Sequence, residues 1–176
     1  MPDSSTPALE LRDVHVVYER RGSERVPAVA GASLTVEHGQ IVGLVGESGC
    51  GKSSLARAAV GLVRPTEGTV LFEGREITPL KRGARSKDVS RLQMVFQNPY
   101  SSLNPRRKIG SQLADALDAL DLVPRRARKA RVEELLDLVG LPASAAARYP
   151  HQFSGGQRQR IAVARALAAE PSLLVL

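Results

Sequence analysis

The most constrained segment of this sequence reads Gly46-Glu47-Ser48-Gly49-Cys50-Gly51-Lys52-Ser53. It matches the phosphate-loop pattern G-x-x-x-x-G-K-[ST] at every fixed position. An apolar run without alternation, residues 41–45, precedes it, and we expect this run to form a strand buried on both faces of a parallel sheet. Residues 52–62 follow with helical spacing. A strand, a glycine-rich turn and a helix in this order predict a nucleotide-binding α/β fold.

The residue types in this loop suit a phosphate chain. Its glycines let the backbone curl so that N–H groups, those of Glu47, Ser48 and Cys50 included, point inward, and the following helix directs its positive end at the same place. We expect Lys52 to contact the β- and γ-phosphates, Ser53 to ligate Mg²⁺, and Ser54 to donate to the α-phosphate. Kinases, GTPases and transport ATPases share this loop, so it predicts nucleotide binding only.

Composition narrows the class of protein further. The chain has 176 residues, of which 43% are hydrophobic and 24% charged, as in globular domains. No run approaches the roughly 20 apolar residues that cross a bilayer, and the N-terminus does not resemble a secretory signal. A single cysteine, Cys50, excludes an internal disulfide and favours a reducing compartment. Aromatic residues make up only 3% of the chain, which disfavours stacking on single-stranded nucleic acid.

The net charge of +7 is concentrated in one segment. Residues 81–131 hold 13 basic and 4 acidic side chains, whereas the remainder holds 12 and 14. Such a segment is either a solvated basic face or a surface for an anionic partner, such as a nucleic acid, an anionic membrane or an acidic protein loop.

A second anion-binding motif lies near the end of the sequence. The motif is the string Phe153-Ser154-Gly155-Gly156-Gln157-Arg158-Gln159-Arg160, which leads into a helix expected over residues 157–169. Ser154 is a suitable N-cap, and two glycines at a helix entrance allow the backbone to approach a ligand closely. The chain therefore carries two phosphate-type helix ends.

Together these motifs resemble the ATPases of ABC transporters. Ser154-Gly155-Gly156-Gln157 is similar to the signature motif of that family, and Gln97, which follows a strand expected over residues 92–96, resembles its Q-loop glutamine. Tyr18 resembles the aromatic residue that stacks on adenine. The strings at residues 96–105 and 149–153 resemble the oligopeptide, dipeptide and nickel importer branch.

The resemblance runs from about residue 8 to residue 176 and implies an α/β fold. We expect a P-loop NTPase core, truncated before the Walker B carboxylates. An N-terminal antiparallel β lobe would come from strands at residues 8–18 and 29–37. A helical subdomain would be inserted at about residues 100–150, with helices over 109–122 and 125–139. Residues 1–7 are expected to be a disordered lead-in, and residues 172–176 a buried strand.

The resemblance also implies a mechanism. Two ATP-binding subunits, identical or different, would meet head to tail, and each ATP would lie between the phosphate loop of one subunit and Ser154, Gly155, Gly156 and Gln157 of the other. Gln97 would sense Mg²⁺ and the attacking water. The implied activity is ATP hydrolysis coupled to uptake of peptides or a similar small solute. Transmembrane permease subunits would be direct partners, and an extracytoplasmic solute-binding protein an indirect one. The implied location is the cytoplasmic face of the cell membrane, and no direct contact with nucleic acid is expected.

The Walker B Asp and the catalytic Glu of the family would follow the apolar run 173–176, and the sequence stops at Leu176. We therefore expect the 176-residue polypeptide by itself to hydrolyse ATP slowly or not at all, since loss of a general base alone lowers rates about 10²–10⁴-fold. Two alternatives remain open: a non-catalytic nucleotide-binding fragment, and a soluble ABC-type ATPase that acts on nucleic acid or ribosomes.

Overall fold

A computed structural model describes residues 6–19, 25–77, 89–98 and 102–176. Outside the described residues lie 1–5 of the expected lead-in, 81–88 of the basic segment, and Pro99, Tyr100 and Ser101 of the importer-like string. The chain divides into two compact units, Met1–Leu92 and Gln93–Leu176. Each is considered by itself below.

The first unit is built on an antiparallel sheet. Its strands are β1 (Leu9–Glu19), β2 (Arg25–Val36), β3 (Glu67–Phe72) and β4 (Arg75–Glu76), in the order β2-β1-β3-β4. Every neighbouring pair in this sheet is antiparallel. Helix α1 (Lys52–Ala59) packs against β1 and β2 through Leu55, Ala58 and Ala59, which are buried. The predicted N-terminal β lobe and the predicted helix after the phosphate loop are confirmed.

A bulge in β1 explains why its alternation is incomplete in the sequence. Leu11 pairs with Val70 of β3, and the register then shifts before His15. Asp13 has a positive φ of 48° at this point. The extra residue keeps Val14 and Val16, both fully buried, on the same face as Leu11.

The buried strand predicted over residues 41–45 is wrong in this structure. These residues are not in a strand, and Ile41 and Val45 are 98% and 92% exposed. A strand buried on both faces depends on hydrogen-bonded neighbours on each side. Within the described ranges, the two sheets comprise only β1–β4 and a separate pair, so no strand flanks this run.

The second unit contains most of the helices. Its elements are β5 (Leu92–Met94, at the boundary between the units), α2 (Ile109–Ala119), α3 (Arg128–Leu138), α4 (Gly155–Leu167) and β6 (Leu173–Val175). Strands β5 and β6 pair with each other. All five were predicted, with ends that differ by a few residues. The predicted burial of the last strand is wrong, because the residues of β6 are only half-buried and Leu176 is 82% exposed. Residues Arg125–Ala127, predicted as the start of α3, instead form a 3-10 turn after Pro124.

The core of the second unit lies between its three helices. Leu113 and Leu117 of α2, Leu136 of α3 and Ile161 of α4 are fully buried in one cluster. Phe153, which directly precedes the Ser-Gly-Gly turn, is 4% exposed in the same cluster. The entrance of α4 is therefore anchored in the core by an aromatic side chain.

Candidate phosphate-binding site

The phosphate loop wraps tightly into the start of α1. Gly51 is the N-cap, with φ 91°, and its carbonyl accepts the first helical hydrogen bond from Leu55 at 2.9 Å. Upstream, the N–H of Cys50 donates to the carbonyl of Glu47 at 3.3 Å, which closes a turn. The predicted residues Gly46, Glu47, Ser48, Gly49 and Cys50 are all exposed. They therefore form an open, curled backbone next to a helix end.

Gly51 is required by packing as well as by conformation. A Cβ placed on it would lie 2.0 Å from the carbonyl oxygen of Ala28 in β2. The left-handed φ adds strain for any other residue. The glycine therefore lets the loop sit directly against the sheet, and this close approach fixes where α1 begins.

Lys52 is held by the loop that it follows. Its Nζ donates to the carbonyl of Gly46 at 2.7 Å and to that of Glu47, and lies 3.5 Å from the Sγ of Cys50. An ammonium group folded over this loop has its charge where a bound phosphate chain would need it. The carbonyls of Gly46 and Glu47 accept hydrogen bonds from the Nζ of Lys52, and the oxygens of a bound phosphate would compete with them for these hydrogen bonds.

The helix end itself favours an anion. No side chain caps α1, and its first turn carries no acidic residue. The N–H groups of Lys52, Ser53 and Ser54 therefore have no intrahelical acceptor, and they add to the positive end of the helix dipole. Ser53 is exposed beside them. A single protein hydroxyl fits Mg²⁺, which commonly takes its other ligands from phosphates and water. Together these residues form a cradle suited to a phosphate chain and its magnesium ion.

Tyr18 reaches the same helix from β1. Its hydroxyl donates to the Oγ of Ser54 at 3.3 Å, and the side chain is 38% exposed. The structure thus brings two predicted nucleotide-binding residues together at the edge of the loop. Part of the tyrosine ring remains open to solvent.

The second helix end is organised differently. Ser154 is the N-cap of α4, and its Oγ accepts from the N–H of Gln157 at 3.3 Å. In return, the Oε1 of Gln157 accepts from the N–H of Ser154 at 3.0 Å. This capping box uses the lone pairs of the Ser154 hydroxyl and leaves its hydrogen free to donate. Within the described part of the chain, the N–H groups of Gly155 and Gly156 are left without an acceptor.

Gly155 and Gly156 have no internal reason to be glycine. A Cβ on either residue would meet no atom within 4 Å, and neither has a positive φ. Both are exposed in the first turn of α4, where alanine is the better helix former. This contrasts with Gly51, whose glycine the fold itself demands.

Gln97 lies in the second unit, two residues beyond a hydrogen bond between the N–H of Val95 and the carbonyl of Val175. It is exposed on a bend three residues after the end of β5, whereas the sequence predicted that the strand would continue to residue 96. Sequence reasoning missed the residues that fix the chain after it. Gln112, 7% exposed, accepts from the N–H of Asn104 at 2.8 Å and donates to the carbonyls of Asn104 and Arg107.

Arg165 is a second missed residue near this segment. Its guanidinium donates to the carbonyl of Ser102, and burial lowers the pKa of Arg165. The side chains of Arg165 and Gln112 line an open cleft of about 450 Å³ together with residues 102–104, 107, 115 and 116. No sequence pattern identifies Gln112 or Arg165, because both bind backbone groups, and a backbone group is the same at almost every position.

Neither a membrane-spanning helix nor a cluster of metal ligands is present among the described residues. No helix there is long and apolar enough to cross a membrane. No group of three or more His, Cys, Asp or Glu side chains among the described residues is placed to hold a metal ion.

Comparison with known proteins gives one family. The profile of the ABC transporter family matches residues 29–176. AppF of Bacillus subtilis (strain 168), an oligopeptide transport ATP-binding protein, is 45% identical over 175 residues, covering 95% of this chain and 53% of AppF. DppF of Pseudomonas aeruginosa (strain UCBPP-PA14), a di/tripeptide transport ATP-binding protein, is 46% identical over 172 residues, covering 95% of this chain and 53% of DppF. The chain spans about half the length of these curated relatives.

Solved structures agree with the sequence relatives. A dimeric, post-hydrolysis form of the ATP-binding cassette MJ0796 bound to ADP and Pi superposes with a TM-score of 0.82 at 28% identity, over 94% of this chain and 72% of that one. CbiO1 of Clostridium perfringens, part of the ABC transporter complex cbiONQ, has a TM-score of 0.74 at 23% identity, over 97% of this chain and 64% of that one. The predicted P-loop α/β fold is confirmed by these likenesses.

Proposed function

Because the chain belongs to the ABC transporter family, we propose that it is the ATP-binding part of an importer subunit for peptides or a similar small solute. The subunit couples ATP binding and hydrolysis to uptake. The names of the relatives AppF and DppF, both peptide transport ATP-binding proteins, support the solute class. Permease subunits are its direct partners, and a solute-binding protein outside the membrane is an indirect one. The subunit lies at the cytoplasmic face of the membrane.

The observation that carries this proposal is the contrast between the two glycine-rich helix ends. Gly51 is needed by contacts within the chain, whereas Gly155 and Gly156 are open, unstrained and offer unpaired N–H groups. A helix end of this kind suits an anion that arrives on another molecule. One nucleotide then lies between the phosphate loop of one subunit and α4 of a second ATP-binding subunit, which is either a second copy or a related chain.

In this arrangement each residue has a definite role. The loop from Gly46 to Gly51 wraps the phosphates with its N–H groups, and Lys52 contacts the β- and γ-phosphates. Ser53 would be the protein ligand of Mg²⁺ at this loop. When bound, Mg²⁺ neutralises charge on the β- and γ-phosphate oxygens. Tyr18 stacks on the adenine, and Ser54 donates to the α-phosphate. Ser154, Gly155, Gly156 and Gln157 bind the γ-phosphate of the nucleotide held by the other subunit.

Hydrolysis is the reaction proposed for ATP bound in this way. Gln97 would orient a water molecule, whose oxygen bonds to the γ-phosphorus as the bond to the β–γ bridging oxygen breaks. One proton of this water passes to solvent, so that ADP and phosphate form. Only the triphosphate touches both subunits. ATP therefore stabilises the closed dimer, and its hydrolysis releases it.

The substitution Gly156→Ala tests the proposal, because the added methyl group meets no atom of this chain. We expect the free energy of unfolding to stay unchanged or to rise by up to ~1 kcal/mol. We also expect dimer formation with a non-hydrolysable ATP analogue to be weakened at least about tenfold, since the methyl group stands between the helix end and the phosphate. Analytical ultracentrifugation with and without nucleotide measures this.

Gly43→Ala is the matched control, because Gly43 also has open space and no positive φ. This variant should dimerise as the wild type does. A wild-type protein that stays monomeric with the ATP analogue, or a Gly156→Ala variant that dimerises normally, would contradict the proposal.

The substitution Lys52→Ala tests the phosphate loop separately. Loss of a charge-assisted contact of about 1.5–3 kcal/mol predicts roughly a 10- to 100-fold weaker affinity for ATP, measured by calorimetry. Lys129, an exposed lysine of α3, provides the control variant Lys129→Ala. Equal ATP affinities for the wild type and Lys52→Ala would remove the loop from the site.

A further inference from the structure

We propose that Arg148 is a positioning residue, which holds the Ser154-Gly155-Gly156 turn in the geometry that receives the phosphate of the opposing subunit. The inference rests on the proposed function, because it assumes that this turn binds the nucleotide. Arg148 lies six residues before the turn and is itself exposed. It is therefore placed to act through the residues between them.

The guanidinium of Arg148 makes two contacts at once. Its central carbon lies 4.3 Å from the centroid of the Phe153 ring, and its Nη2 donates to the carbonyl of Gln152. Phe153 is buried in the core between the helices. The contact therefore ties the peptide between Gln152 and Phe153 to a ring that cannot move without disturbing the core.

The next peptide, between Phe153 and Ser154, is held by Arg158 of α4. Its Nε donates to the carbonyl of Phe153 at 2.9 Å. The carbonyls of Gln152 and Phe153 are thus each fixed by an arginine, one before the turn and one after it. The direction in which the chain enters Ser154 is determined by these two hydrogen bonds.

Arg148 is in turn anchored at its own backbone. Its carbonyl accepts from the N–H of Ile109, the first residue of α2, at 2.9 Å. The adjacent N–H of Tyr149 donates to the Oε1 of Gln152 at 2.8 Å. Residues 148–153 therefore form a closed set of contacts, which connects the beginning of α2 with the beginning of α4.

This set of contacts matters because the turn has little tolerance. The capping box between Ser154 and Gln157 fixes the helix start, but the aim of the free N–H groups of Gly155 and Gly156 depends on how the chain enters. Binding groups need to be held within about 0.5 Å of the productive geometry. Lysine cannot replace Arg148, because a planar guanidinium stacks on a ring and donates sideways at the same time, whereas an ammonium does not.

The experiment compares Arg148→Ala, Arg148→Lys and Phe153→Leu in the purified protein with a non-hydrolysable ATP analogue. Phe153→Leu keeps an apolar side chain in the core and removes the ring under the guanidinium. We expect all three to weaken analogue-dependent dimerisation about tenfold. The affinity of the monomer for ADP, which needs only the phosphate loop, should stay within about twofold of the wild-type value. Arg126→Ala, at another exposed arginine, is the matched control and should change neither quantity.

The outcomes separate this inference from the proposed function. If the wild type dimerises, Gly156→Ala does not, and the Arg148 variants dimerise normally, then the inference is wrong and the proposed function stands. If Arg148→Lys dimerises as the wild type does, a positive charge alone is sufficient at this position, and the proposed positioning role of the guanidinium is also wrong. If ADP affinity and dimerisation fall in parallel, the role is merely structural and the inference is overturned. A wild-type protein that does not dimerise overturns both.

Discussion

At the scale of single residues, the same residue type is used for opposite reasons in this protein. Gly51 fills a position where a side chain has no room, and the obstacle is the backbone of Ala28 rather than a flexible side chain. Gly49 shares the left-handed conformation but has open space around it. The comparison separates two effects that a sequence motif merges, namely backbone strain and close packing.

The substitutions Gly51→Ala and Gly49→Ala measure these effects. Gly49→Ala should lower the free energy of unfolding by about 1–2 kcal/mol, which is the strain of a left-handed alanine. Gly51→Ala should lower it by about 3 kcal/mol or more, because the loop must also move away from β2. Urea unfolding of both variants checks the difference. Equal losses would mean that the loop does not rest on Ala28.

At the scale of elements, the segment after Gln97 is shaped by a helix that it precedes. Gln112 of α2 makes three hydrogen bonds to the backbone of Asn104 and Arg107 and is almost fully buried. A buried side chain that satisfies backbone groups replaces a regular secondary structure there. The position of residues 104–107 therefore depends on α2 being folded.

The substitution Gln112→Ala should lower the free energy of unfolding by about 2–4 kcal/mol. It leaves the N–H of Asn104 and the carbonyl of Arg107 without this partner, whereas the carbonyl of Asn104 keeps a hydrogen bond from the N–H of Arg107. Hydrogen exchange at the N–H of Asn104 should accelerate more than the global loss of stability explains. Asp115→Asn is the control on the same helix, since it removes an exposed ion pair with Arg107, in which the hydrogen bond that Arg107 donates to Asp115 raises the pKa of Arg107. We expect Asp115→Asn to leave stability essentially unchanged, because an exposed ion pair contributes little. An unchanged rate of hydrogen exchange at the N–H of Asn104 would contradict the conclusion that Gln112 holds residues 104–107 in place.

At the scale of the whole molecule, one apolar segment has no cover. Ile41 and Val45 are almost fully exposed, and Val42 and Leu44 are 38% and 46% exposed in the same run. Such a contiguous exposed apolar run is a surface for association with another chain. Repulsion that arises from the net charge of +7 opposes association only at long range, and salt screens this repulsion.

The double substitution Ile41→Ser and Val45→Ser should therefore reduce self-association of the 176-residue polypeptide. Static light scattering at rising protein concentration, at 0.5 M salt to screen the charge, measures the effect; we expect the onset to move to an at least about threefold higher concentration. Leu138→Ser removes an isolated leucine of α3 that is 69% exposed and should have little effect. An unchanged onset in the double variant would show that the run does not drive association.

The sequence by itself determined the features that depend on near neighbours in the chain. The phosphate loop, the helix that starts at Lys52, the N-cap at Ser154 and the two N-terminal strands all follow from spacing, side-chain patterning and capping. These signals are local because a helix start or a tight turn involves only three to five consecutive residues. The family resemblance rested on such local strings and was confirmed.

Only the tertiary structure decided the features that depend on residues far apart in sequence. The apolar run 41–45 has the composition of a buried strand, but a strand is stabilised by partners that its own composition does not supply. The approach of Gly51 to Ala28 and the hydrogen bond from Arg165 to the carbonyl of Ser102 likewise join segments that the sequence pattern does not pair. The physical reason is that local propensity selects the type of an element, whereas packing between elements selects its neighbours and its exposure.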